Sequence, residues 1–219
     1  MASLTRDGDI FVLDLGDDEN RFNDGSLDSI ERCLQQVEDA APCALVSTAQ
    51  GKYWSNGLDL EWMATQGERA PAFLTRVHGL LARVLEMGVP TVAALQGHTF
   101  AAGAMLALAH DDRVMRADRG YFCLPEIDIG LPFSPGMSAL IAARLSPRAA
   151  HEAMTTGRRY GGSDAANAGL VEDAVEASEV LPRALARAEA LTGKNPDTLR
   201  VIKQQLYGDA LTALRAPMT

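Results

Sequence analysis

The sequence contains little cysteine. Three of its 219 residues are cysteines, namely Cys33, Cys43 and Cys123. An odd and widely spaced set does not form a disulfide framework, and no pair has the close spacing of a zinc site. The sequence therefore predicts buried thiols in a reducing compartment and no metal site.

Positive charge is also scarce. Lys and Arg number 20 against 29 Asp and Glu, which gives a net charge of −9 and a pI near 4.9. Binding to a nucleic acid backbone needs clustered positive charge, so nucleic acid is excluded as a main partner. Any other polyanionic ligand must be held by a local positive field or by backbone N–H groups.

Long apolar runs and targeting signals are missing as well. No stretch of about 18 uninterrupted apolar residues occurs, which argues against a membrane partner. The first residues lack a basic segment followed by an apolar one, so no signal peptide is predicted. The last four residues, 216–219, do not match a peroxisomal address. We therefore expect a cytoplasmic protein.

Short apolar runs alternate with amphipathic segments over about the first 130 residues, and helical patterns dominate afterwards. This order predicts an α/β core at 1–145 and a helical C-terminal region at 146–219. No Pro/Gly/Ser-rich linker separates the two, so they form one functional unit. Either Asp24 or Ser26 is expected to cap the first helix. The predicted strands are 10–15, 44–48, 91–95, 113–115 and 121–124, and the predicted helices are 26–40, 72–87, 101–110, 134–145, 151–156, 181–191 and 196–206.

Three segments repeat one pattern, a strand followed by a glycine-marked turn and a helix. They are 54–59, 97–103 and 124–132. In the first two, small residues allow the backbone to approach a ligand, and the helix that follows leaves free N–H groups. Two such groups converging on one oxygen would form an oxyanion hole. A single glycine after a strand more often marks only a turn.

The third segment places a carboxyl group, that of Glu126, within an apolar run. Desolvation disfavours the charged form of such a group, which suits it to taking up and returning protons. The alternative is a structural carboxylate, paired at the end of a strand. The residues alone leave both possibilities open.

The motifs together resemble the crotonase, or enoyl-CoA hydratase/isomerase, superfamily. The ordered set is S-N-G-L-D-L at 55–60, P-T-V-A-A-L-Q-G at 90–97, A-A-G at 101–103, A-H-D at 109–111 and L-P-E-I-D-I-G-L-P at 124–132. The resemblance covers roughly residues 8–205 and is strongest to plant-type Δ3,Δ2-enoyl-CoA isomerases. It implies a ββα spiral core and assembly as a homotrimer or a dimer of trimers.

The resemblance also implies roles for individual residues. It makes Glu126 the acid–base and the backbone N–H groups of Leu58 and Ala102 the oxyanion hole. Coenzyme A enters as part of an acyl-CoA thioester substrate, so no separate cofactor is expected. The residues predicted to bind the substrate are Ser55, Asn56, Gly57, Gly103, Met105 and Phe133. The candidate cations for the CoA phosphates are Lys52, Arg76 and Lys203.

One departure from the family pattern decides between reactions. Hydratases of the family use a second glutamate, and Met105 occupies that position here. Methionine cannot activate water, whereas a single carboxylate suffices to move a proton from C2 to C4 of a 3-enoyl-CoA. Dienoyl-CoA isomerases need further acids, at the positions of Met105 and Ser134. We therefore predict a 3-enoyl-CoA to 2-enoyl-CoA isomerase.

Two alternatives remain open. The first is an enoyl-CoA hydratase or an acyl-CoA thioester hydrolase on the same scaffold. The second is a non-catalytic acyl-CoA-binding subunit, which is suggested by a C-terminal region shorter than is usual in the family.

Overall fold

The computed structural model describes residues 1–217. Met218 and Thr219 lie outside the described residues. They belong to the predicted C-terminal region 146–219 and to the last four residues, which do not match a peroxisomal address. The strands are β1 (Ser3–Asp7), β2 (Ile10–Asp14), β3 (Ala44–Thr48), β4 (Tyr53–Ser55), β5 (Thr91–Leu95), β6 (His98–Phe100), β7 (Asp112–Arg116), β8 (Phe122–Cys123) and β9 (Asp173–Val175). The helices are α1 (Asp24–Asp39), α2 (Leu60–Ala64), α3 (Ala70–Leu85), α4 (Ala102–Ala109), α5 (Glu126–Ile129), α6 (Pro135–Arg144), α7 (Pro147–Thr156), α8 (Gly162–Asn167), α9 (Val180–Glu189), α10 (Pro196–Leu206) and α11 (Gly208–Arg215).

The strands form two sheets. The larger has the order β1-β2-β3-β5-β7-β9, and the smaller has the order β4-β6-β8. Apart from the antiparallel β1–β2 pair, neighbouring strands are parallel. Each of the successive pairs β3–β4, β5–β6 and β7–β8 contributes its first strand to the large sheet and its second to the small one, and a helix follows. The predicted α/β class and ββα spiral core are therefore confirmed.

The centre of the large sheet is buried on both faces. Its central strands β3 and β5 consist almost entirely of buried residues, which is why they are continuous apolar runs rather than alternating patterns. Helices α1, α3 and α4 contribute buried residues to the main core, whereas α9 contributes to a second, smaller core that also includes the opposite-facing residues of the strands. The sheet therefore holds the turns after its strands at fixed positions.

The start of α1 differs from the prediction. Neither Asp24 nor Ser26 is the cap, because Asn23 is the residue with extended backbone before the helix. Its side chain accepts a hydrogen bond from the Ser26 N–H at 3.1 Å, and the Ser26 hydroxyl accepts one from the Asn23 N–H at 3.0 Å. This reciprocal pair satisfies two backbone donors at the helix start.

The C-terminal region packs back onto the core. The predicted boundary at residue 145 falls in the turn between α6 and α7, and α11 packs against α3 and α6. Lys203 of α10 is 4% exposed, and its ammonium group donates to the Asp111 carboxylate at 2.7 Å and to the Val89 carbonyl at 3.3 Å. Lys203 therefore anchors α10 and is not free to bind CoA phosphates.

Arg76 is likewise committed within the protein. It donates at 2.6 Å to both Asp28 and Glu31 of α1, which holds α3 against α1. The prediction that Arg76 and Lys203 bind phosphate is therefore not supported, since both cations already have carboxylate partners. Across residues 1–217, no helix is long and apolar enough to cross a membrane.

The Lys203–Asp111 ion pair is predicted to stabilise the fold. Lys203→Ala leaves the Asp111 carboxylate without its buried cation, and losing one partner of a buried pair costs about 3 kcal/mol of unfolding free energy. Urea unfolding measures this loss. Lys194→Ala, which removes an exposed lysine just before α10, is the control and should change stability by less than about 0.5 kcal/mol. Equal stabilities of the two variants would contradict the anchoring role.

Candidate active site

A cavity of about 720 Å³ lies among α2, α3, α5, α6 and the start of α4. Its walls are mainly apolar, which suits an acyl chain. The lining includes three methionines, whose unbranched side chains adapt to different shapes. The apolar lining residues include Leu58, Leu60, Met63, Leu74, Met105, Ile129, Leu131, Phe133 and Met137, and the polar ones are Arg21, Asn56, Glu126 and Ser134.

Glu126 is the acidic residue of this lining. It is the first residue of the one-turn helix α5, not part of a strand, and it is 7% exposed. Burial raises the pKa of its carboxyl group from 4.5 to about 7, and its own backbone N–H opposes this only in part. Within residues 1–217, its Oε2 has no hydrogen-bond partner. The group can therefore exchange protons near neutral pH, as a general base or acid requires.

The two segments that carry the predicted backbone donors lie close together. A Cβ atom added to Gly57 would lie 2.9 Å from the Ala102 nitrogen, so the backbone just before Leu58 touches the start of α4. On either side of Leu58, the Gly57 carbonyl accepts from Phe22 N–H and the Asp59 N–H donates to the Phe22 carbonyl. These bonds fix the loop without using the Leu58 N–H.

Ala102 opens α4, and as a first-turn residue its N–H has no partner within the helix. Leu58 and Ala102 both line the cavity. That their N–H groups act together on one ligand oxygen stays a prediction.

The turn before α4 carries an unusual backbone conformation. Ala101 has φ 51° and ψ −127°, a region that favours glycine over residues with a Cβ atom. This sharp turn brings the chain from β6 into α4 and determines the direction of the Ala102 N–H. The sequence did not reveal the strain, because alanine at this position resembles an ordinary helix start.

Ser55 and Gly103 lie behind the cavity wall. Ser55 is fully buried, and its hydroxyl donates to the Asn20 carbonyl at 2.8 Å and accepts from the Gly57 N–H at 3.2 Å. A Cβ atom on Gly103 would come within 2.7 Å of Ser55, so only glycine allows α4 to lie this close to β4. Both residues therefore shape the loop without facing the cavity, and their predicted substrate contacts remain untested.

The remaining predicted residues are either structural or line the cavity. Gly57 forms the close contact with α4 described above. Asp59 caps α2 by accepting from the Trp62 N–H at 3.0 Å. The predicted site residues that line the cavity are Asn56, Leu58, Ala102, Met105, Glu126 and Phe133.

Sequence reasoning missed several lining residues. Arg21 lines this cavity and a neighbouring one of about 410 Å³, and it pairs with Glu19. Leu74 and Met137 come from helices whose apolar residues predicted only a core. No local signal distinguishes a cavity-facing apolar residue from a core one, because the difference depends on tertiary packing. Across residues 1–217, no group of three or more His, Cys, Asp or Glu could hold a metal ion.

Comparison with known proteins gives consistent results. A sequence profile described as enoyl-CoA hydratase/isomerase matches residues 7–218. Two Arabidopsis thaliana proteins, enoyl-CoA delta isomerase 3 and the peroxisomal enoyl-CoA delta isomerase 2, are each 36% identical to the chain, with 94% of this chain and 92% of each relative covered. The apo structure of a Mycobacterium tuberculosis enoyl-CoA isomerase has a TM-score of 0.90 and 27% identity, covering 99% of this chain and 95% of that one.

The burial of Glu126 predicts a pH-dependent stability. Its pKa of about 7 in the folded protein exceeds the ordinary 4.5, so the folded state holds the proton more tightly than the unfolded chain. The corresponding stability is present below pH 4.5 and is lost as pH rises through 7. Glu126→Gln cannot ionise, so it should be more stable than the wild type by about 3 kcal/mol at pH 8 and show no such gain at pH 4.

Urea unfolding at the two pH values measures this difference. Asp128→Asn, a change at an exposed neighbour in the same helix, is the control and should alter stability by less than about 0.5 kcal/mol at both. If the stability gained by Glu126→Gln did not depend on pH, Glu126 would not be a desolvated carboxyl group.

Proposed function

The chain belongs to the enoyl-CoA hydratase/isomerase family, and from that premise we propose that it converts 3-enoyl-CoA into 2-enoyl-CoA. One observation carries the proposal. Within the described lining, the cavity combines a single buried carboxyl group, that of Glu126, with Leu58 and Ala102, whose backbone segments are in close contact at Gly57. A proton shift next to a thioester carbonyl needs an acid–base group and stabilisation of the oxygen, and no further side-chain chemistry.

In the proposed reaction, the thioester carbonyl oxygen accepts hydrogen bonds from the Leu58 and Ala102 N–H groups. The Glu126 carboxylate removes a proton from C2, and the electron pair of that C–H bond forms a dienolate whose negative charge rests on the oxygen. The dienolate then takes a proton from Glu126 at C4, which leaves the double bond between C2 and C3. The carboxylate is regenerated, so no co-reactant is consumed.

Met105 argues against hydration as the main reaction. Its side chain is 1% exposed and forms part of the cavity wall one turn into α4. A thioether neither accepts a proton at neutral pH nor orients water strongly. Since addition of water needs a second acid–base group, we favour isomerisation over the hydratase alternative.

The substrate supplies its own coenzyme, so we propose no separate cofactor. Asn56 and the backbone of the 55–57 loop are the proposed contacts for the CoA portion. Arg21 also lines the cavity, where its guanidinium is paired with Glu19. We further propose a role in fatty acid metabolism and a cytoplasmic location, although one of the related Arabidopsis proteins is peroxisomal.

We also propose that the chain assembles as a homotrimer or a dimer of trimers. Large apolar residues remain exposed on α5 and the segment after it, and on α10. They include Ile127, Ile129, Leu131, Val201, Ile202 and Leu206, which are between 43% and 67% exposed. Several exposed apolar residues on one element are typical of protein contacts, although Ile129 and Leu131 also line the cavity.

The reaction is tested by incubating the protein with 3-enoyl-CoA in deuterated water. We expect 2-enoyl-CoA to form, with label introduced at C4 and exchanged at C2. Glu126→Gln removes the acid–base group and should lower the rate roughly 10²–10⁴-fold, whereas Asp128→Asn should keep it. Full isomerase activity of Glu126→Gln would refute the proposal, and rapid hydration of 2-enoyl-CoA would favour the alternative reaction.

The proposed oxyanion hole is tested by Gly57→Ala. The added Cβ atom would lie 2.9 Å from the Ala102 nitrogen and 3.0 Å from the Phe100 carbonyl oxygen. It would therefore push the two donors apart, and we expect kcat to fall by roughly 10²–10³.

Gly169→Ala is a matched control for the backbone strain of this change. Gly169 has φ +74° against +77° for Gly57, but within residues 1–217 nothing lies within 4 Å of its added Cβ atom. The control carries the same backbone strain without the close contacts, so it should keep its kcat. Equal kcat values of the two variants would contradict the proposed role of the Leu58–Ala102 contact.

A further inference from the structure

One face of the small sheet carries a row of aromatic rings. Its strands β4, β6 and β8 are parallel neighbours, so side chains at matching positions point to the same side. The His98 ring on β6 lies between two tyrosine rings, with its centroid 5.3 Å from that of Tyr53 and 5.5 Å from that of Tyr121. The Phe100 ring, two residues further along β6, is 5.0 Å from His98. We call these four rings the ring platform.

Most of the ring platform is separate from the candidate active site. Tyr53 and His98 begin β4 and β6, and Tyr121 immediately precedes β8. The cavity lies beyond the opposite ends of these strands, where the chain continues from β8 to Glu126. Within the described lining, Phe100 is the one platform residue that also borders the cavity. A ligand held at the strand starts would therefore occupy a different place from a ligand in the cavity.

Three exposed cations surround the ring platform, namely Lys52, Arg119 and Arg159. The Lys52 ammonium group lies 5.1 Å from the centroid of the Tyr53 ring, and the Arg159 guanidinium group lies 6.0 Å from the centroid of the Phe100 ring. Contact with the face of a ring attracts a cation but does not neutralise its charge, as a carboxylate would. The rings therefore position cations that can still bind an anion.

The carboxylates near this cluster are bonded to other cations. Within residues 1–217, Lys52 and the two platform arginines form no ion pair. The hydrogen bond from Arg21 is the main cause that lowers the pKa of Glu19, and the charge of Lys52 adds only weakly to it. Asp118 is bonded to Arg116 at 2.7 Å. The platform is thus a local region of free positive charge in a chain of net charge −9, and such a region attracts anions.

The His98 ring responds to this positive field. Burial is the main cause that lowers the pKa of its imidazole, and the charges of Lys52, Arg159 and Arg119 lower it further. All three cations therefore act on one point at the centre of the ring platform. An anion bound among them would act on the imidazole in the opposite direction.

The dimensions of the ring platform favour a small ligand. Three strands about 4.8 Å apart give a face about 10 Å wide, and strands of three residues extend about 10 Å in the other direction. A stable protein interface buries about 800 Å² on each partner, which is several times this area. Proteins that bind single-stranded nucleic acid cover at least about four nucleotides in each site. One aromatic base with a phosphate group matches the platform better than either macromolecule.

We propose that the ring platform binds a mononucleotide, with the base stacked on the exposed Tyr121 ring and the phosphate among Lys52, Arg119 and Arg159. Stacking on an aromatic side chain uses the face that every base has, so the platform selects nucleotides as a class and not one base. The cations supply the charge that a phosphate group needs. This site is additional to the thioester cavity and does not depend on the proposed isomerase reaction.

The test is calorimetric titration of the protein with AMP, adenosine and inorganic phosphate. We expect AMP to bind more tightly than the other two, because it alone combines a base with a phosphate. Tyr121→Ala removes the stacking surface and should weaken AMP binding roughly tenfold, and Arg159→Ala removes a charge and should weaken it by about the same factor. Arg32→Ala, which removes an exposed arginine of α1, is the matched control and should leave the affinity for AMP unchanged.

NMR titration of the His98 ring protons gives a second readout. AMP should raise the pKa of His98 because its phosphate offsets the surrounding cations, whereas adenosine should leave this pKa unchanged. Arg21→Ala removes the cation that lines the cavity and should not affect AMP binding. If AMP binding were lost in Arg21→Ala and retained in Arg159→Ala, the nucleotide would occupy the cavity and the inference would be wrong.

Other results would also overturn the mononucleotide site. They are the absence of AMP binding at millimolar concentration, and a His98 pKa that AMP does not change. Tight binding of a single-stranded oligonucleotide without binding of AMP would assign the face to a nucleic acid. A sedimentation coefficient that changes in Arg159→Ala while the affinity for AMP does not would assign the face to a second copy of the chain. Turnover of 3-enoyl-CoA is measured separately, so the isomerase proposal stands or falls independently of these outcomes.

Discussion

The structure depends on one close approach between two stretches of backbone. The loop after β4 lies against the start of α4 with no room for a side-chain carbon between them at Gly57 or Gly103. A similar contact at Gly97, where an added Cβ would lie 2.4 Å from the Lys52 carbonyl oxygen, joins the next turn to the same region. These contacts define how closely the loop that carries Leu58 approaches the start of α4.

The second constraint is the placement of a carboxyl group where water cannot solvate it. Glu126 begins a helix of a single turn, and the fold keeps it buried although its ionised form opposes folding above neutral pH. The free energy gained by burying the large core around the sheet offsets this cost. The strained backbone of Ala101 is a second local cost at the same cavity, and both lie where a ligand would be held.

Much of this architecture was predictable from the sequence, because it follows from local patterns. The buried strands at 44–48 and 91–95 match β3 and β5 residue for residue, since continuous apolar runs leave no doubt about their burial. The two- and three-residue strands of the small sheet were not all predicted, because such short pieces inside glycine-rich turns have no periodicity. Helix α11 was missed as well, and its role in covering α3 and α6 depends on contacts far away in the sequence.

The site was predictable only to the extent that its motifs are contiguous. Glu126 and the two turns follow from sequence order, whereas the hydrogen bond between Ser134 at the cavity wall and His78 of α3 joins residues 56 positions apart. Nothing local marks His78 as different from the other buried residues of its amphipathic helix. The same holds for Arg21, whose contribution to the cavity depends on how the loop before α1 folds over the small sheet.

The three methionines of the cavity wall have a consequence for how this enzyme can change. The loop after β4 and the start of α4 are held in place by backbone packing, whereas Met63, Met105 and Met137 line the cavity with unbranched side chains that adapt to different shapes. Exchanging these three for other apolar residues would change the shape of the cavity without adding an acid–base group to it. One continuous cavity thus combines a part shaped by close backbone contacts, where few substitutions fit, with a part shaped by flexible side chains, where many do.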